Sequence, residues 1–353
     1  DGHELAVVVP APAGEDRLRE IAGELIERLH EPFTVDDLRL GLSSRIGLVA
    51  VRDDGADART LLRRAEGAVT HAIGNDLEIG EYEVARDVHS PVRMALVGEL
   101  RRALEERELT VLYQPKLSLA TDRIVGGESL VRWMHPTRGM VPPDEFIPVA
   151  EHSNVLRPMT LFVLDMALAR CEAWRQTGTG QSVAVNLSVR NLLDHRIIDD
   201  VARLVGRSGV PPEALTLEIT ESAAMLDPGR AREVMVELRA LGVHLAIDDF
   251  GAGYASLAYL KQLPANELKV DKTFVQHIES DPRDRAIVRS SIDLAHDLGF
   301  KVVAEGVETA AAMALLRELG ADLVQGWHIG RPMTAEAFDV ALAGSLAAPA
   351  RLR

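Results

Sequence analysis

The chain has 353 residues, 47% of them hydrophobic and 26% charged, with a formal net charge of −15. That apolar content supports a sizeable core and excludes a disordered or fibrous chain, and the length suits one large domain or two unequal ones. The acidic balance excludes broad capture of DNA, which needs a basic face. A lone Cys171 excludes a disulfide framework and a cysteine-based zinc site.

No uncharged apolar run reaches the ~18 residues of a membrane span, and a cytoplasmic compartment is expected. The chain opens on Asp1 instead of Met and runs at once into the apolar residues 5–9. We read this start as a cut inside a longer polypeptide without a signal peptide, whose missing N-terminal part could carry a sensor or a membrane anchor.

In chain order, residues 5–9 predict a buried strand. Residues 16–30 predict an amphipathic helix, with Ile21, Leu25 and Leu29 at four-residue spacing and Pro32 ending it. Residues 40–51 are β-rich and 61–73 helical. A boundary follows at 87–91, where Ser90 can cap a helix and Pro91 suits its first position. Residues 92–107 predict a charged amphipathic connecting helix.

Short apolar strands then recur at 111–113, 125–130, 183–187, 215–219, 245–247, 268–270, 302–304 and 323–324, separated by helical stretches. Eight strands in roughly 250 residues predict a TIM-like (β/α)8 barrel with a parallel or nearly parallel closed sheet. The chain thus divides into a small domain at 1–88, a connector at 89–107, a barrel at 108–346 and a disordered tail at 347–353.

Unusual polar residues close almost every predicted strand: Gln114, Glu128, Asn186, Glu218, the pair Asp248-Asp249, Lys269, Glu305 and Gln325. In a β/α barrel the C-terminal strand ends share one mouth, so these residues would converge on a single acidic cup. Five carboxylates that close repel one another unless a cation joins them. Oxygen ligands without Cys or His select Mg2+ or Mn2+ over zinc. Asp248-Asp249 lets one carboxylate bridge two metals ~3.5–4 Å apart, the usual apparatus for in-line attack on a phosphodiester.

Taken singly, each residue has a plainer reading. A strand-end carboxylate often caps a helix, and a lone lysine often pairs on the surface. The joint pattern is what points to a site. Glu221 reads as a loop anchor, residues 251–253 as a flexible loop after the fifth barrel strand, and Trp133, His135 and Cys171 as packing residues.

These residues lie in motifs that resemble a known family. Tyr113-Gln114-Pro115, Gly127-Glu128-Ser129-Leu130-Val131-Arg132-Trp133, Val185-Asn186-Leu187-Ser188 and Leu217-Glu218-Ile219-Thr220-Glu221 resemble the signatures of the EAL-domain cyclic di-GMP phosphodiesterases. So do Ile247-Asp248-Asp249-Phe250-Gly251, Leu268-Lys269-Val270-Asp271, Ala304-Glu305-Gly306-Val307-Glu308 and Gln325-Gly326, in order over about residues 95–345.

The resemblance implies hydrolysis of cyclic di-GMP to linear pGpG, which lowers the level of this second messenger. It implies one metal on Glu128, Asn186, Glu218 and Asp248 and a second on Asp248, Asp249 and Glu305. Lys269 would hold and help activate the attacking water, with Gln325 beside the metal-bound solvent. Gln114, Leu130 and Arg132 would contact the dinucleotide, and Glu221 would steady the loop 250–257. A homodimer is also implied. Ser129 departs from the family pattern, standing where Ala is usual.

The N-terminal segment resembles the C-terminal half of an α+β GGDEF domain, the cyclic di-GMP synthase module. Asp1-Gly2-His3-Glu4-Leu5 occupies the place of its signature, with the first Gly, the Asp and the Phe replaced, and Leu61 to Glu66 match a later helix with changes. Cyclase activity is not expected, since His3 removes a metal-binding carboxylate; a regulatory role is. Two other readings compete: a non-catalytic cyclic di-GMP receptor, and a barrel acting on a different phosphodiester. Lys269, Glu305 and both aspartates favour catalysis over a receptor, which has no need of a water-activating set.

Overall fold

The computed structural model describes residues 5–9, 14–35, 38–42, 44–51, 57–74, 77–82, 91–176, 180–251 and 257–347. The chain divides into two compact units, 1–96 and 97–353, within the helix Pro91–Glu105. No helix among the described residues is long and apolar enough to cross a membrane. The expected features at 1–4, Ser90, the loop 252–256 and the tail beyond Ala347 lie outside the described residues.

In the first unit, strands β1 (Phe33–Val35) and β2 (Leu38–Leu40) pair antiparallel, and β3 (Ile46–Leu48) and β4 (Ile79–Glu81) pair parallel. Helix Ala58–Gly74 lies directly on the second pair. A Cβ on Gly47 would fall 2.3 Å from the Ala65 carbonyl oxygen, and one on Gly80 would fall 2.0 Å from that of Ala68. Only glycine allows that approach.

Helix Gly14–His30 buries Ala22 and Ile26, while Leu25 and Leu29 are exposed, so its inward stripe is offset from the predicted one. Residues 5–9 are not a strand: Leu5, Val7 and Val8 are exposed, and no described strand pairs with them. β-branched residues favour extended backbone, but a strand needs a partner for its N–H and C=O groups.

The second unit is a closed eight-stranded barrel ringed by helices. Its strands are β5 (Leu109–Ser118), β6 (Arg123–His135), β8 (Ser182–Asn186), β9 (Leu215–Thr220), β10 (His244–Phe250), β11 (Glu267–Val270), β12 (Lys301–Ala304) and β13 (Leu323–Gln325). A short β7 (Gly139–Val141) hairpins off β6. Six of the eight contacts round the barrel are parallel; β5 runs antiparallel to both neighbours, β6 and β13. This corrects the simple strand-end picture. Gln114 and Glu128 face each other in mid-strand, because β5 and β6 run on past the barrel layer.

Alternation along the strands sorts the residues. Val183, Val185, Leu215, Leu217, Ile219, Leu245, Ile247, Leu268 and Val270 face outward and join the core beneath the helices. The intervening positions, among them Glu218, Ala246 and Lys269, belong to the lumen. Caps seat the outer helices: Asp281 accepts from Arg283 N at 2.7 Å ahead of Pro282, and Asp227 accepts from Arg230 N at 3.1 Å ahead of Pro228.

The packing readings hold. Trp133 is fully buried, donates to Glu108 at 3.0 Å and meets Phe146 edge-on at 5.8 Å. His135 takes N–H bonds from Thr137 and Arg138 at its Nδ1, and Cys171 lies in the core, where burial pushes its thiol up to about 11.

Phe338, on the last helix (Ala335–Ala347), stacks on Trp174 at 4.5 Å and leaves no room for a Cβ on Gly127. Phe338→Ala should lower stability by about 3–5 kcal/mol through the cavity it leaves. Urea unfolding checks this; a loss below about 1 kcal/mol would mean that the helix does not seal the barrel.

Candidate active site

The centre of the site is one buried ammonium group. Lys269 on β11 is 1% exposed, and its Nζ lies 2.7 Å from Glu305, 2.9 Å from Asp248, 3.1 Å from Glu218 and 3.9 Å from Glu128. Those carboxylates come from β6, β9, β10 and the residue just after β12. A second lysine, Lys116 on β5, is also buried and lies 2.6 Å from the other oxygen of Glu218. Glu218 is thus held between two ammonium groups.

Side-chain amides extend the network. Asn186 donates to Glu128 Oε1 at 2.6 Å, and Gln325 donates to Glu128 Oε2 at 2.6 Å and to Gln114 Oε1 at 3.2 Å. Gln114 donates in turn to the carbonyl of Gly330 at 3.3 Å.

Asp248 and Asp249 are adjacent, and strict alternation would turn one of them away from the lumen. The β10–β11 register slips between Ile247 and Phe250, and Asp249 takes a left-handed conformation at φ 54°. This bulge turns the second carboxylate back. Oxygens of Asp248, Asp249 and Glu305 consequently lie within 4.8 Å of one another, the one such trio among the described residues. Asp is among the few residues that tolerate the left-handed region, at a cost of about 1 kcal/mol. Just beyond, Gly251 N donates to Glu221 Oε2 at 3.0 Å, tying the start of the following loop to a buried side chain.

Electrostatics follow from this crowding. Burial alone would raise Glu218, but Lys116 and Lys269 overcome it and bring its carboxyl down to about 2. Burial raises Glu128 against the pull of Lys269, helped by Glu218 and Asp248. Burial likewise raises Asp249, with Asp248 and Asp271 adding to it. Glu305 is pushed up to about 8 by burial, together with Asp248 and Glu128, despite its close contact with Lys269. One ammonium shared among four carboxylates does not neutralise them all.

Glu128, Glu218, Asp248, Asp249 and Glu305 set five carboxylates against two lysines. A trio of hard oxygen donors with excess negative charge fits a divalent cation of the Mg2+ type. The site opens into a cavity of about 440 Å3 lined by Gln114, Glu128, Leu130, Asp248, Asp249, Lys269, Glu305 and Gln325, together with Lys272, Gln276, Gly306, Glu308, Gly326 and Trp327. Arg132 is not among its lining residues; half-buried, it donates to its neighbour's carbonyl, Val131 O, at 2.8 Å.

Sequence reasoning missed Lys116, Lys272, Gln276 and Trp327. Lys116 had a readable signal: it sits two residues beyond Gln114, on the same face of a strand predicted to end at 113. Trp327 directly follows Gln325-Gly326. Lys272 and Gln276 carry no signal in the sequence, because the fold of 272–276 against the mouth brings them there.

A family model described as "EAL domain" matches residues 97–332, two thirds of the chain. The chain belongs to the EAL domain family. A second model, "Diguanylate cyclase, GGDEF domain", matches residues 1–75. The chain is 36% identical over 95% of its length to MucR of Pseudomonas aeruginosa, named a bifunctional diguanylate cyclase/cyclic di-GMP phosphodiesterase, and 36% identical over 90% to NbdA of the same organism, named a cyclic di-GMP phosphodiesterase. It spans only 49% and 41% of those two proteins. A solved structure of the MucR phosphodiesterase in complex with c-di-GMP superposes with a TM-score of 0.66 at 41% identity, covering 69% of this chain and 99% of that one.

A carboxyl whose pKa is higher folded than unfolded takes up a proton on folding. The Glu305 contribution to metal-free stability is therefore full below about 4.5 and lost as pH rises through about 8. A cation bound by this trio must displace that proton. Affinity for Mn2+ or Mg2+ should therefore rise with pH and level off above about 8. Calorimetry at pH 6.5 in buffers of different ionisation enthalpy should register roughly one proton released per site, and none at pH 9. Equal heats in all buffers at pH 6.5 would contradict a protonated Glu305.

Proposed function

We propose that this chain hydrolyses one phosphodiester bond of cyclic di-GMP to linear pGpG, using two divalent cations, Mg2+ or Mn2+. The observation that carries the reading is the convergence of Asp248, Asp249 and Glu305 beside the Lys269 ammonium, at the floor of a cavity large enough for a nucleotide. Membership of the EAL family and the named activities of its relatives support it.

When bound, such cations neutralise charge on the phosphodiester and acidify a water for in-line attack. Glu128, Asn186, Glu218 and Asp248 would hold one, and Asp248, Asp249 and Glu305 the other. Asn186 uses its Nδ2 on Glu128, so its oxygen is the atom left to serve as a ligand. Lys269 donates to Glu218, Asp248 and Glu305 in the protein as it stands. These N–H groups would orient the attacking water and stabilise negative charge building on the phosphoryl oxygens. Gln325 fixes Glu128, and Lys116 fixes Glu218.

Lys269 amid these acids also favours catalysis over a receptor that only binds the dinucleotide. In the same reading, Arg132 contacts the substrate, Glu221 holds the loop that completes the metal site, and the protein acts as a homodimer in the cytoplasm. The GGDEF segment is regulatory and makes no cyclic di-GMP, because His3 replaces a metal-binding carboxylate of its signature.

Incubation of the purified protein with cyclic di-GMP, followed by chromatography, should yield pGpG with Mg2+ or Mn2+ and none with chelator. Glu128→Ala should cut turnover roughly a thousandfold, the scale of losing one preorganised electrostatic group, with the circular dichroism unchanged. Lys269→Ala should lower kcat far more than substrate affinity. Wild-type turnover in Glu128→Ala, or binding without any product from the wild type, would sink the hydrolytic reading.

A further inference from the structure

The chain has three tryptophans. Trp133 and Trp174 are sealed in the core, whereas Trp327 is 55% exposed and lines the cavity above the carboxylates. Among the residues lining that cavity it is the one aromatic side chain. Trp327 thus presents a large planar ring at a mouth otherwise lined mostly by polar and charged side chains.

Two features hold the ring. The guanidinium of Arg331 lies 4.0 Å over its centroid, covering one face. The backbone beneath it cannot shift: a Cβ on Gly326 would fall 2.2 Å from Val307 N and from Val307 O, and Val307 N donates to Gln325 O at 3.1 Å while His328 N donates to Val307 O at 3.0 Å. Trp327 is thus pinned two residues from Gln325, whose amide bonds directly to Glu128. The indole therefore shares one cavity with the carboxylates that would engage the phosphodiester.

From this arrangement we infer that Trp327, backed by Arg331, is a stacking platform for one guanine base of the cyclic dinucleotide, and so a specificity-determining residue of the site. The inference rests on the reading of the cavity as a cyclic di-GMP site. A planar π-face is recognised by stacking, and an arginine on the far side of the indole both rigidifies it and adds cation–π attraction. The platform binds substrate and takes no part in the chemical step, so its loss should appear in KM and leave kcat near the wild-type value.

The test compares wild type, Trp327→Ala and Trp327→Phe on cyclic di-GMP, with kcat and KM read separately. Trp327→Ala should raise KM for cyclic di-GMP roughly tenfold to a hundredfold, and Trp327→Phe should recover most of that loss. A second readout needs no turnover. With the other tryptophans buried, cyclic di-GMP added without divalent metal should quench the solvent-exposed emission of wild type, and Trp327→Phe should lose the quench. Wild-type turnover with an unchanged KM in Trp327→Ala, or a quench that persists in Trp327→Phe, would overturn the platform while leaving the phosphodiesterase reading intact. A wild type that neither binds nor cleaves cyclic di-GMP would overturn that reading and the platform with it.

Discussion

A single buried ammonium group ties the mouth of this barrel together. Lys269 Nζ is within 4 Å of carboxylates from β6, β9, β10 and the turn after β12, strands far apart in sequence. Removing an ammonium from water costs several kcal/mol, and so does each carboxylate. Such a cluster persists only where the surrounding fold holds every member in place. Lys116 supplies the second positive charge, on the far side of Glu218. The result is a set of acids organised before any ligand arrives, with negative charge left over.

That leftover charge gives the site its chemistry. Two lysines hold the Glu218 carboxyl down at about 2, while burial and its acidic neighbours push Glu305 up to about 8 against one shared ammonium. A divalent cation would resolve the imbalance that protonation otherwise relieves. The Asp248-Asp249 bulge serves the same end: one left-handed residue turns two consecutive carboxylates to the same side, which a regular strand does not allow.

Much of this was legible in the residues. The eight strand positions, the outward apolar alternation and the carboxylates, amide and lysine near their ends could be read from apolar runs and their punctuation. Other features could not. The antiparallel direction of β5 leaves no trace in composition, so Gln114 was read as a strand end when it lies in mid-strand opposite Glu128. Residues 5–9 carry every local mark of a strand and are not one, because pairing depends on a partner and local preference alone does not supply it. The place of Trp327 within the cavity lining depends on how the chain after β13 runs past the barrel layer.

The sequence by itself determined the barrel, the identity of its polar residues and the kind of ligand they suit, since periodicity and donor chemistry are properties of the chain. Only the tertiary structure decided which acids share Lys269, which of them burial raises and which aromatic ring faces the cavity. Those depend on distances and desolvation between segments that meet only when the barrel closes.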